Sequence, residues 1–148
     1  MCMVLYLGSD AALPTSEWAA ERPVCHVGVP RPSERAVHRH FAKAHVRYLG
    51  SHTGCGCGFG FGFGAAEGEP VEGDAASAAS RRWLAELVGG LVEAEGEVEL
   101  YACWSGDEAL DAAERTRLRP GDLLGVEAVR EGTFAVVSAD GRDGAQPA

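Results

Sequence analysis

Between Gly54 and Gly64 every even-numbered residue is glycine, and the odd positions read Cys55, Cys57, Phe59, Phe61 and Phe63. No other stretch limits so sharply what the backbone and the side chains can do. An extended chain sends successive side chains to opposite faces. Held extended, this segment puts two thiols and three rings on one face. The other face is bare backbone, which another element or a ligand can approach closely. Glycine loses the most conformational freedom on ordering, so an extended glycine-rich strand is costly. The same composition also suits a flexible loop lengthened by Phe-Gly repetition. Residues 48–59 are expected to be ordered, and the Phe-Gly pairs after Gly60 to be low-complexity sequence.

The flanking chain reads as alternating strands and helices. Residues 2–8 (CMVLYLG) are apolar on both faces, as a central strand requires. Residues 24–29 (VCHVGV) form a second strand, with Cys25 and His26 on opposite faces and Pro30 and Pro32 closing it. Ser33 suits the N-cap of a short helix reaching about Phe41. Residues 45–52 form a third strand that feeds the glycine segment. Ala76, Ala79, Trp83, Leu87 and Leu91 recur at helical spacing, which predicts a helix over 75–95. Gly89-Gly90 inside it predicts a kink, a close packing contact or a break. Residues 97–104 (EVELYACW) alternate cleanly, and 133–138 (TFAVVS) make a last strand. A short helix is expected near 108–115 and a turn with a docking segment over 118–124. The sum is an α/β (α+β) chain: one mixed sheet of about five strands, with one long and one or two short helices packed on it.

A chain of 148 residues fits one domain, taken as 1–138, with 139–148 as a disordered tail. The formal net charge of −9 argues against a nucleic-acid binder, which needs a basic surface. Residues 22–47 nonetheless hold six Lys/Arg and a single acid. Within this stretch the basic 31–47 segment, with Arg35, Arg39 and Lys43 at helical spacing, either pairs internally or meets an acidic partner or a small anion. No signal peptide is evident, and no apolar run is long enough to span a membrane, so the expected compartment is the cytoplasm. The five cysteines there read as buried thiols, metal ligands or redox groups rather than a disulfide framework.

Cys55 and Cys57 are the leading pair. A Cys-x-Cys pair chelates a thiophilic metal, zinc first, and needs further ligands to close a tetrahedron. His52 is the nearest, on the same loop, and Cys2, Cys25, Cys103 and His26 are the other candidates. The same pair can instead cycle between dithiol and disulfide, or pack as two small residues in a turn. His38, His40 and His45 read as surface or capping residues. Cys2 follows Met1, and loss of that methionine would expose an N-terminal thiol nucleophile. No oxyanion-hole motif accompanies it.

The opening Met1-Cys2 strand, Leu13-Pro14 with Trp18, the run from Tyr48 through Ser51-His52-x-Gly54-Cys55-Gly56-Cys57-Gly58-Phe59, and Cys103-Trp104-x-Gly106-Asp107 together resemble a family of short, uncharacterised bacterial proteins. The resemblance covers most of the chain, and the Ser-His-x-Gly-Cys-Gly-Cys-Gly-Phe run is its most specific part. It implies a bacterial domain and carries no activity with it. The expectation from the residues is a cysteine-centred site at 52–57 that binds a thiophilic metal. A thiol-disulfide protein using Cys55 and Cys57, or a non-enzymatic interaction module, stands as the alternative.

Overall fold

The structure, a computed structural model, describes residues 2–61 and 74–141. The strands are β1 (Met3–Ser9), β2 (His26–Gly28), β3 (His45–Gly50), β4 (Glu97–Trp104), β5 (Glu114–Leu118) and β6 (Thr133–Ser138), and the long helix is α1 (Asp74–Glu95). They form one sheet in the order β2-β3-β1-β4-β6-β5. All neighbouring pairs are antiparallel except β5 with β6.

β1 lies at the centre, between β3 and β4, and is buried along its whole length. Its apolar run on both faces is what that place demands. Met3, Leu5 and Leu7 join Val98, Leu100 and Ala102 of β4 beneath Leu84, Val88, Leu91 and Val92 of α1. Val4 and Tyr6 share the opposite face with Tyr101, Cys103, Phe134 and Val37. Val37 comes from the 3-10 segment Pro32–His40, which covers that face.

The sheet has six strands where the sequence suggested about five. The additional strand, β5, reads ERTRL and is mostly exposed. It sits at the edge of the sheet, where charged side chains protect the unpaired backbone from other strands. It replaces the end of the short helix expected over 108–115. α1 runs unbroken through Gly89-Gly90. A Cβ on Gly89 would lie 3.7 Å from Pro120 Cβ, an ordinary contact distance, so neither the expected break nor a contact that demands glycine is found there.

The glycine segment is not extended. After β3 the chain turns and forms a 3-10 segment over Gly56–Phe59, so Cys55, Cys57 and the rings do not share one strand face. Phe59 and Phe61 are both buried and stack at 5.9 Å, with Phe59 also facing Trp83 of α1. Phe61 is therefore core rather than low-complexity surface. Residues 62–64 of the repeat, and the expected tail from 142 onward, lie outside the described residues. Arg81 of α1, itself buried, fastens this region by donating to the Phe59 carbonyl at 2.8 Å and the Leu124 carbonyl at 3.0 Å.

Candidate metal centre

Cys2 stands immediately before β1, where its carbonyl accepts the Ser105 N–H at 2.7 Å. The loop that leaves β3 folds back to the same point. Ser51 anchors it twice on the Cys55 carbonyl, through its N–H at 2.9 Å and its hydroxyl at 2.6 Å. Gly56 then lies directly on the β1 backbone. A Cβ there would sit 2.8 Å from the Met3 carbonyl oxygen. Only glycine permits that approach, and the approach delivers Cys55 and Cys57 on either side of Gly56 to Cys2.

The Cys2, Cys55 and Cys57 sulfurs all lie within 4.8 Å of one another, a group able to hold a metal ion. Zinc–thiolate bonds of about 2.3 Å place the sulfurs of one tetrahedral ion about 3.8 Å apart. The cluster thus needs to contract by at most roughly an ångström, within reach of a χ1 adjustment at exposed Cys2.

The electrostatics favour one thiolate. Burial alone would raise the Cys55 thiol, but hydrogen bonds from the Cys57 N–H, the Thr53 hydroxyl and the Cys57 and Cys2 thiols outweigh it and hold it below its ordinary value. Cys57 moves the other way, pushed up to about 11 by burial and then by the charge on Cys55, although the Met3 N–H donates to its sulfur at 3.2 Å. A bound cation would reverse that second effect, because a metal deprotonates the thiols that coordinate it.

The other candidate ligands stay outside the cluster. His52 points its Nδ1 at the Ser80 hydroxyl of α1, 2.7 Å away, and its carbonyl accepts the Trp18 indole N–H at 2.9 Å. Cys25 donates to the same Ser80 oxygen at 3.4 Å. Cys103 is on the opposite face of the sheet, because β4 alternates. Its thiol is pushed up to about 12 by burial and then by Glu108 and Asp107. Of the further candidates, Cys2 is the one the fold brings to the pair. Its signal was the glycine between the two cysteines, which marks where another backbone crosses.

The basic stretch is largely spent within the fold. Arg39 pairs with the Ala109 carbonyl and Asp111, Lys43 with Asp10 and Glu95, and Arg47 with the Leu13 carbonyl. No helix of the described residues is long and apolar enough to cross a membrane. No family model, curated protein or solved structure matches the chain.

Proposed function

We propose that this protein binds a thiophilic metal ion, zinc first, through Cys2, Cys55 and Cys57. The observation that carries the reading is the convergence of three sulfurs from two distant parts of the chain, one of them already biased toward thiolate. Three protein thiolates leave a fourth position of a tetrahedral ion for an outside donor, the pattern of sites that deliver a metal or act on a substrate rather than purely structural ones. The test is metal analysis of untagged protein purified without chelator. The reading expects close to one equivalent of zinc, or of another soft ion, and less than about a tenth of an equivalent of any of them contradicts it.

A second reading rests on the contrast between Cys55, held low, and Cys57, held up to about 11. That is the arrangement of an attacking and a resolving thiol. In this case a disulfide substrate is reduced to two thiols while Cys55 and Cys57 close a disulfide. Thiol counting before and after mild oxidation separates the two: the redox reading loses two thiols reversibly, whereas bound metal protects all three.

A further inference from the structure

Trp18, His26, Arg31, Glu34, Tyr48 and Gly54 line a cleft of about 500 Å³ beside β2 and β3. That volume is in the range of small-molecule sites. The cleft ends one residue short of Cys55, but its own polar groups are distinct from the thiols. Trp18 and Tyr48 supply aromatic walls, and the His26 ring lies 5.9 Å from that of Tyr48, tilted by 43°.

Arg31 is held from beneath. Its backbone N–H and its Nε both donate to Glu34 Oε1, at 2.7 and 3.2 Å. The other Glu34 oxygen lies 2.8 Å from the hydroxyl of buried Tyr6, whose single proton is shared with Glu108 Oε2 at 2.9 Å. Glu34 is 4% exposed, and Arg31 is the cation paired with it. The Arg31 side chain is 72% exposed, and its two Nη groups have no partner among the described residues. A guanidinium fixed at Nε and open at both Nη atoms presents the fork that receives a carboxylate or phosphate. Arg39, Lys43 and Arg47 of the same basic stretch are committed to internal partners.

His26 adds a second donor. Its Nδ1 is buried without a hydrogen-bond partner among the described residues, and its ring rests on Gly50, where any Cβ would overlap it. An unpaired lone pair is tolerated better than an unpaired N–H. The tautomer with the proton on Nε2 is therefore favoured, and His26 is among the residues that line the cleft.

We propose that this cleft binds a small planar organic oxyanion, its charged group on the Arg31 fork and His26 Nε2–H and its planar body between Trp18 and Tyr48. Glu17, exposed at the rim, favours a singly charged carboxylate over a phosphate ester. The site stands apart from the metal reading, since none of these groups is a cysteine.

The test titrates the full chain with benzoate, phenyl phosphate and the neutral benzyl alcohol, following the Trp18 indole N–H by NMR. Benzoate is expected to saturate that signal, phenyl phosphate to bind more weakly, and benzyl alcohol to bind at least tenfold more weakly than benzoate. Arg31→Gln should weaken benzoate about tenfold or more, the scale of a charged hydrogen-bonded pair. Val29→Glu places a negative charge on the lining at a residue 62% exposed, so it disturbs no core, and should weaken benzoate severalfold. It carries the test alone if Arg31→Gln does not fold. The proposal is overturned if neither anion saturates by roughly 10 mM, the weak limit for ligands of this size. It is equally overturned if benzyl alcohol binds as tightly as benzoate, or if the Val29→Glu protein binds benzoate as the parent does.

Discussion

Replacing Gly56 with alanine removes no ligand, yet it should damage the metal site. The new Cβ would lie 2.8 Å from the Met3 carbonyl oxygen and 3.3 Å from Val4 Cα, where ordinary contact begins at 3.4 Å. Neither atom can swing aside. Both belong to the backbone of β1, where Met3 and Val4 are paired with Trp104 and Cys103 of β4. The loop must lift by about half an ångström, which carries Cys55 and Cys57 away from Cys2 and adds to the contraction an ion requires. Forcing an extra methyl into a packed site costs about 1–3 kcal/mol. Part of that strain relaxes when the loop moves away, and it returns when the loop closes on an ion. Zinc affinity should therefore fall about tenfold, equivalent to ~1.4 kcal/mol, with the remainder appearing as lost stability. Competition against a chromophoric chelator measures the first, and urea unfolding in excess chelator measures the second. Gly90→Ala is the control. Nothing lies within 4 Å of a Cβ there, on α1, so it should stabilise by about 1 kcal/mol and leave zinc binding alone. A Gly56→Ala protein with the parent's zinc affinity and unfolding midpoint would refute the claim that this close approach builds the site.

Other consequences can be checked more briefly. Cys103, buried and pushed up to about 12, should resist alkylation at pH 8 in the folded, chelator-stripped protein while exposed Cys2 reacts; mass mapping of the labelled cysteines reads this, and early labelling of Cys103 contradicts it. Burial holds His26 below its ordinary value of 6.5. The unfolded chain then binds this proton more readily than the folded one, so the stability His26 contributes is present above about pH 6.5 and is lost as the pH falls below it. Urea unfolding of parent and His26→Phe should show the variant with the shallower loss between pH 7 and 5.5; equal slopes count against it. Phe61→Ala should cost about 3–5 kcal/mol, as for other buried rings, and a cost under about 1 kcal/mol would return Phe61 to the surface.

The elements legible in the sequence are those whose period is set by burial. β4 sits where its alternation placed it, at 97–104, and α1 spans 74–95 against the 75–95 read from Trp83, Leu87 and Leu91. β5 was not legible, because an edge strand of ERTRL has no buried face to impose a pattern. The Gly-Cys-Gly-Cys run misled for the opposite reason. Its period of two is real, but the glycines serve contacts in a tight turn: Gly56 on Met3, and Gly58 against Ser51 and Thr53. Cys55 and Cys57 were conspicuous because they are neighbours in sequence. Cys2 was not, because it meets them only through the register of β1 beside β3 and the loop that crosses back. His52 looked like the natural third ligand by proximity along the chain, yet α1 supplies Ser80 at 2.7 Å and turns the ring away.

The account depends most on Cys2, the ligand contributed from across the sheet. Titration of the chelator-stripped protein with cobalt(II) measures it directly, because each cobalt–thiolate bond adds charge-transfer absorption in the near ultraviolet. The parent should saturate at one equivalent. Cys2→Ser should lose about a third of that absorption together with tenfold or more in affinity, while Cys25→Ser and Cys103→Ser match the parent. A Cys2→Ser protein indistinguishable from the parent, or a Cys25→Ser protein that loses the band, contradicts it.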